Sequence, residues 1–279
     1  MSKLSVNFNP SAEYAAKNLA QVERRLDKTM EHLSSGQQIN SAEDDAAGFA
    51  VRERMRSDTA VMQKGLDNLG QGVALVQTAE GALDNVGSIL TRMKELATQS
   101  ASANVSSDRS DLQEEFSQLT AEIDRLANST EFNGRKLLDN SLSTTGLRIH
   151  YGTGNSSGSD YFQLVLNGTR LQDLGLNTTT IDTQENAQQA MDAVDGALDT
   201  VTNSLATTGA YQNRLETMQA DLQVSLENLQ ASQSVIADAD MAQEMVALTR
   251  DQIIQQAGLA ALGQANNLPA QAVSVLLGK

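Results

Sequence analysis

Cysteine and tryptophan are both absent from this 279-residue sequence, which contains only two prolines and 3% aromatic residues. Without cysteine the chain can form no disulfide, no thiolate metal site and no thiol nucleophile. The apolar content of 40% is supplied mostly by Ala, Leu, Val, Met and Ile. That composition favours close helix–helix packing over a thick aromatic core.

Positive charge is also scarce. Lys and Arg total 20 against 35 Asp and Glu, which gives a formal net charge of −15. Nucleic acids and anionic membranes bind clustered Lys and Arg, so neither partner is expected. No stretch approaches the ~20 apolar residues of a membrane span, and the N-terminus lacks the apolar segment of a cleaved signal peptide. We therefore expect a cytoplasmic protein or one that is exported without a cleaved signal.

The sequence contains no recognisable catalytic set. His32 and His150 are isolated, and the neighbouring carboxylates of Asp44 and Asp45 diverge on a helix. The glycine-containing stretch at 152–158 lacks the Gly-Lys-Ser/Thr sequence of a phosphate-binding loop. We predict no catalytic residue, no metal site, no cofactor and no enzymatic activity.

Helical periodicity dominates both ends of the chain. Apolar residues at Leu19, Val22, Leu26 and Leu33 predict a helix over about 12–34, and Gly36 predicts its end. A second helix is expected from Ser41, with Asp44 completing a capping box, to about residue 100. Its apolar residues recur every seventh position, as in a coiled coil, at Met62, Leu69, Val76, Leu83, Leu90 and Ala97.

The same long helix carries five glycines between 65 and 87. Each costs about 1 kcal/mol relative to Ala in an isolated helix. We expect that cost to be offset by the close approach of neighbouring helices.

A third helix is expected from a cap at Ser110 and Gln113, and Asn133-Gly134 is a turn signal. Residues 143–182 alternate in polarity, with Phe162, Leu164 and Leu166 on one side, and predict a β-hairpin. Helical spacing resumes at about 184 and is interrupted by the stretch ASQSVIADADMA, residues 231–242. The last helix is expected over about 238–266, before Pro269.

The order of predicted elements is nearly the same when it is followed inward from either end of the chain to the β insertion. This order predicts that the two ends of the chain pair antiparallel. The expected fold is mainly α: a long antiparallel, coiled-coil-like helix rod, terminal helices that form an inner layer, and a small β-hairpin insertion. The expected segments are the inner helices 1–40 and 240–279, the rod halves 41–142 and 183–239, and the insertion 143–182.

The end of the chain is apolar, although globular proteins commonly have polar and loose termini. Leu259, Leu262, Val273, Leu276 and Leu277 form a stripe with no third layer to cover it. Something outside the fold must therefore bury these residues.

The stretch LSSGQQINSAEDDAAGFA, residues 33–50, resembles the N-terminal signature of bacterial flagellins. The similarity continues through 76–101 and 112–138 and returns at 209–216 and 229–277, ending in QANNLPAQAVSVLL. Only about 139–190 lies outside it. The chain resembles a near-minimal flagellin that lacks the large outer domains of longer members.

The resemblance implies a structural subunit that self-assembles into a filament outside the cell and serves motility. It implies unfolded export through the flagellar type III route with an export chaperone, and contact with filament-cap and hook-junction proteins. The inner core would be formed by residues of both terminal helices: Leu19, Val22, Leu26, Leu33, Ile253, Leu259, Leu262, Val273, Leu276 and Leu277.

Two alternatives remain open. A hook–filament junction protein shares the terminal patterns. A cytoplasmic signalling coiled coil of the chemoreceptor type shares the Ala-, Gln- and Glu-rich heptads, but it predicts a continuous helical hairpin tip in place of the β insertion.

The resemblance also implies a surface bound by the Toll-like receptor that senses flagellin. By position its residues are Arg92, Leu96 and Glu115. Because Leu90, Met93 and Ala97 occupy the heptad positions, we expect Arg92 and Leu96 to share a different, outward face.

Overall fold

A computed structural model describes residues 9–103 and 109–276. Within them the helices are α1 (Pro10–Ser35), α2 (Ala46–Ala101), α3 (Arg109–Ser129), α4 (Ser141–Thr145), α5 (Gln184–Ala237) and α6 (Met241–Leu276). The strands are β1 (Glu131–Phe132), β2 (Arg135–Lys136), β3 (Leu147–His150) and β4 (Tyr161–Leu164). They form two antiparallel pairs, β1–β2 and β3–β4. The expectation of a mainly α fold with long helices is confirmed.

The chain divides into two compact units. The first contains residues 1–57 and 229–279, and the second contains residues 58–228. The first unit therefore extends further along α2 and α5 than the sequence-based segment limits at 40 and 240.

The core of the second unit follows the heptad pattern of α2. Leu69, Val76, Leu83, Leu90 and Ala97 are all almost completely buried. Helix α5 runs antiparallel to this stretch, because Lys94 pairs with Asp195 while the earlier Gly87 lies beside the later Val201. The apolar residues that recur at every seventh position of α2 thus form the buried helix–helix contact that the sequence predicts.

Two of the five glycines between 65 and 87 serve a different purpose from the one expected. A Cβ atom on Gly65 would collide with the carbonyl of Tyr151, and one on Gly72 would lie 2.6 Å from Cδ1 of Ile149. Both clashes involve the β3–β4 hairpin and its edge, whereas Gly70 and Gly81 face open space. Gly65 and Gly72 therefore let the hairpin approach α2, and only Gly87 lies against the neighbouring helix α5.

The turn at Asn133-Gly134 is confirmed. Both residues have positive φ, 51° and 75°, and they connect β1 to β2 directly. Two successive left-handed residues are what a tight two-residue hairpin needs, and Asn-Gly adopts them most readily.

The β-hairpin expected over 143–182 is shorter than predicted. Only 147–150 and 161–164 are strands, residues 141–145 form helix α4, and residues 165–182 contain no strand. The predicted alternation of buried and more exposed side chains is confirmed in β4, where Phe162 and Leu164 are buried. Phe162 also contacts α5, edge-to-face with Tyr211 at 5.5 Å and beneath the Arg214 guanidinium at 4.8 Å.

Three helix boundaries differ from expectation. Helix α2 begins at Ala46 and is capped by Asp45, whose Oδ1 accepts the Ala47 N–H, so the predicted cap at Ser41 is wrong. Ser110 lies inside α3, and the Gln113 side chain accepts the N–H of Ile181 instead of closing a capping box. Helix α6 continues through Pro269 to Leu276.

The first unit is an antiparallel pair of α1 and α6. The contacts run in opposite directions along the two helices. Asn9, just before α1, bonds to Ala265 late in α6, Arg25 bonds to Asp251, and His32 near the end of α1 bonds to Glu244 near the start of α6. The predicted end of α1 is confirmed, because Gly36 has φ 71° and its N–H donates to the His32 carbonyl. Asp240 caps α6 through the N–H groups of Ala242 and Gln243.

Candidate self-assembly surface

The α1–α6 pair is held by a small apolar seam and by ionic contacts. Val22 and Leu26 are buried between the helices. The Arg25 guanidinium forms two bonds of 3.2 Å with the carboxylate of Asp251, a residue that is only 1% exposed. Hydrogen bonding to Arg25 lowers the pKa of Asp251 below its usual value despite burial. This geometry fixes the register of α6 along α1.

The ten residues expected to drive assembly fall into four groups. Val22 and Leu26 are buried within the unit, so they hold α1 to α6 and are not available to a partner. Leu19, Leu33 and Leu262 are half-buried, whereas Ile253 and Leu259 are 62% and 53% exposed. Val273 and Leu276 lie in α6, but their side chains, like the whole of Leu277, fall outside the described part of the chain.

An exposed apolar groove lies along α6 beside Ile253. It has a volume of 520 Å³ and is lined by Met245, Val246, Thr249, Arg250, Ile253 and Ile254. Val246 is 69% exposed and Met245 is 51% exposed. Of these residues, the sequence analysis predicts only Ile253 to take part in assembly. The others could have been found from the distribution of apolar residues around α6, which occur on every side of the helix, as is typical of a helix covered on all sides.

The segment 36–45 lies between α1 and α2. It pairs with the α5–α6 connection, because the Gln38 N–H donates to the Ala237 carbonyl and the Ala239 N–H donates to the Gly36 carbonyl. Arg52 is buried and donates to the Ile39 carbonyl and the Gln37 side chain.

Asp44 forms an ion pair and two backbone hydrogen bonds within this segment and with α1. It lies 2.8 Å from the Lys28 ammonium of α1 and accepts the N–H groups of Asn40 and Ser41. The bond to Lys28 and the two backbone bonds hold the pKa of Asp44 far below its usual value. Asp44 precedes α2, so it stabilises the turn and does not act in the first turn of the helix as expected.

The residues expected to form the receptor surface differ in exposure. Arg92 is exposed and bonds at 2.9 Å to Glu115 of α3 and to Glu95 of its own helix. Leu96 is completely buried, so the prediction that it points outward is wrong. Helix α2 is covered on two sides, because α3 and α5 both contact it near this turn. Leu96 therefore belongs to the core.

Two features of the described residues bear on other functions. Within 9–103 and 109–276, no group of three His, Asp or Glu side chains is arranged to hold a metal ion. No helix in those ranges is long and apolar enough to cross a membrane.

Comparison with known proteins identifies the family. The profile of the bacterial flagellin N-terminal helical region matches residues 6–143, and that of the C-terminal helical region matches residues 191–277. A flagellin of Halalkalibacterium halodurans is 43% identical over 273 residues, which cover 98% of this chain and 99% of the relative. The flagellar filament 33 kDa core protein of Treponema phagedenis is 37% identical, covering 97% and 99%.

A solved structure shares the fold at much lower identity. It is described as a flagellar hook-associated protein of Vibrio parahaemolyticus and is 14% identical, with a TM-score of 0.55, covering 70% of this chain and 99% of that one. At that identity the likeness concerns the fold alone. The two terminal profiles and the full-length relatives carry the assignment, and the chain belongs to the bacterial flagellin family.

Proposed function

We propose that this protein is the structural subunit of a bacterial flagellar filament and polymerises through the exposed apolar face of α6. The groove around Ile253 is the observation that carries this proposal. Large side chains such as Val246, Ile253 and Leu259 are more than half exposed on one helix. Contiguous apolar surface of this kind marks an interface with another protein.

The sequence relatives indicate that the partner is another copy of the same chain. The relatives with full-length similarity are named for flagellin and for the flagellar filament core. A homopolymer requires one surface of each copy to meet a different surface of the next, which generates an open helical array. The groove on α6 is then covered by neighbouring copies.

The test is seeded polymerisation of the Ile253→Asp variant. A carboxylate buried in an apolar interface is costly even near a cation such as Arg250, so we expect filaments to be lost while the monomer keeps its helical circular dichroism spectrum. Gln252→Asp is the matched control, since Gln252 is exposed and points about 100° away round the helix. Normal filaments from Ile253→Asp would contradict assembly through this face.

The two rival functions make different predictions for the same experiment. Electron microscopy of seeded wild-type protein should show micrometre filaments if it is a filament subunit. A hook–filament junction protein would give only short caps on the seeds, and a signalling coiled coil would stay soluble. The strands β3 and β4 also count against a continuous helical tip of the signalling type.

We further propose that the protein works outside the cell and is exported through the flagellar type III route without a cleaved signal. In this scheme an export chaperone covers α6 before assembly, because the apolar groove needs cover at that stage. The filament cap and hook-junction proteins are its other partners. Mass spectrometry of the secreted protein tests this route: it should detect peptides from the region of Lys3–Asn9, whereas loss of an N-terminal segment of about 15–30 residues, the length of a signal peptide, would contradict it.

We also propose that monomers present Arg92 and Glu115 to the Toll-like receptor for flagellin. The exposed Arg92–Glu115 pair between α2 and α3 supports this proposal. Arg92→Ala should weaken signalling in a receptor reporter assay without unfolding the protein, because exposed ion pairs contribute at most about 1 kcal/mol. Leu96→Ala is unsuitable, since removal of that buried side chain destabilises the core itself. Unchanged signalling by Arg92→Ala would refute the role.

A further inference from the structure

The second unit contains a cleft whose walls come from α2, the β1–β2 turn and β3. Its volume is 370 Å³. Leu75 and Ile149 form a buried apolar floor, and Arg135, Arg148 and His150 line the cleft as well. A cleft with an apolar floor and cationic side chains is suited to a partner that presents carboxylates beside an apolar side chain.

Its two guanidinium groups lack partners. Neither the Arg135 nor the Arg148 side chain forms an ion pair or a hydrogen bond within the described part of the chain, although the chain has 35 acidic residues and only 20 Lys and Arg. Arg148 instead lies over the Tyr161 ring at 4.9 Å, and the His150 ring stacks on the same tyrosine at 6.3 Å. Stacking orients a guanidinium while leaving its N–H groups able to donate.

A complementary surface exists on α5 of the same unit. Val224 is 57% exposed, and Asp221 and Glu227 lie three residues to either side of it. Residues three apart are neighbours on a helix surface. Neither carboxylate forms an ion pair among the described residues. The face of α5 formed by Asp221, Val224 and Glu227 therefore offers an acid–apolar–acid pattern.

We propose that the cleft of one copy binds this α5 face of a second copy. Val224 would cover the apolar floor, and Asp221 and Glu227 would pair with Arg135 and Arg148. The two surfaces differ, so the contact is heterologous and can repeat from copy to copy without closing. The proposal rests on the proposed function as a filament subunit, and it adds a contact between the second units of neighbouring copies.

Charge reversal with rescue tests the pairing. Arg148→Glu should raise the critical concentration for seeded polymerisation at least about tenfold, which corresponds to ~1.4 kcal/mol. A second reversal in the same chain, Glu227→Arg or Asp221→Arg, should recover most of that loss, as expected for groups that interact directly. Circular dichroism of each monomer verifies folding.

Lys136→Glu is the matched control. It changes the net charge by the same amount in the neighbouring β2 strand, but Lys136 does not line the cleft. We expect less than about a threefold change in critical concentration from this variant, because exposed charges contribute little. An equal effect of Lys136→Glu and Arg148→Glu, or failure of both second reversals to rescue, would overturn the proposal.

The absence of cysteine permits an independent test. One preparation carries Arg148→Cys and another carries Val224→Cys, and the two are copolymerised and oxidised. Disulfides require Cα atoms within about 7 Å, so a mixed dimer should form in filaments and not in dilute monomer. Wild type that forms no filaments would refute the proposed function, whereas wild-type filaments whose copolymer yields no mixed dimer would refute only this contact.

Discussion

At the scale of single residues, Asp44 shows how one carboxylate can hold a turn in place. Its carboxylate accepts hydrogen bonds from the Lys28 ammonium and from two backbone N–H groups. These donors stabilise the ionised form over the protonated form, and the pKa of Asp44 is lowered for that reason. The segment 36–45, which lies within the signature stretch 33–50, is therefore held in place by a charge.

We expect Asp44→Asn to lower the free energy of unfolding by about 1–2 kcal/mol at pH 7. A carboxyl group whose pKa is lowered by folding stabilises the protein above its unfolded pKa of about 3.9, and that contribution disappears as the pH falls towards the folded pKa. The difference between wild type and variant should thus shrink below about pH 4. Urea unfolding at several pH values measures it.

Glu43→Gln provides the control, because it removes one negative charge from the adjacent, exposed residue. It should change stability by less than about 0.5 kcal/mol. A loss from Asp44→Asn that persists unchanged at pH 2 would show that the charge is not the cause.

At the scale of elements, a substitute hydrogen bond joins α1 to α6 in addition to the Arg25–Asp251 pair that fixes their register. Pro269 has no N–H, so the carbonyl of Ala265, four residues earlier in α6, lacks its helical donor. The Nδ2 group of Asn9 donates to that carbonyl at 2.7 Å. The Oδ1 of the same side chain caps α1 by accepting the N–H of Ala12.

We predict that Asn9→Ala lowers the free energy of unfolding of the first unit by about 1–3 kcal/mol, since it removes a cap and leaves a carbonyl unpaired. Pro269→Ala restores a backbone N–H at position 269. Asn9→Ala should therefore cost less in a Pro269→Ala background. A double-mutant cycle measured by thermal unfolding tests this, and a coupling energy of zero would contradict it.

These elements also show what the sequence could predict. The heptads of α2 and the Asn133-Gly134 turn follow from local spacing and local backbone preference, and both were anticipated correctly. The continuation of α6 through Pro269 was not, because its compensation comes from Asn9, 256 residues away. Burial of Leu96 was missed for a similar reason: periodicity reveals one seam of α2, whereas contacts with both α3 and α5 bury a second face.

The residues predicted to form an assembly surface differ in exposure within one copy. Ile253 and Leu259 of the last helix are exposed, as contact with another copy requires, and their role in assembly stays a prediction. Val22 and Leu26 were assigned to the same surface, yet they face α6 within the unit. Helical periodicity identifies the apolar residues that need to be buried. It does not show whether the same copy of the chain or a neighbouring copy covers them.

At the scale of the whole molecule, the two units differ in how much apolar surface they bury. The large core cluster lies in the second unit, and it includes Leu69, Leu83, Phe116, Leu164 and Ile181. The first unit leaves Met245, Val246 and Ile253 half or more exposed. Regions with few buried apolar contacts open locally at a small cost in free energy.

We therefore predict that hydrogen exchange of the monomer is fast in α1 and α6 and slow in the second unit, at α2 residues 69–97 and at α5 residues 190–215. Polymerisation should protect α6 most strongly around 245–259, where neighbouring copies would cover the groove. Mass spectrometry of peptides from monomer and filament, quenched at matched times, gives the comparison. The 69–97 peptides serve as the internal control, because their core is already complete within one copy. Equal protection of 245–259 in monomer and filament would mean that α6 is stable without partners, and the role assigned to its exposed apolar face would then be wrong.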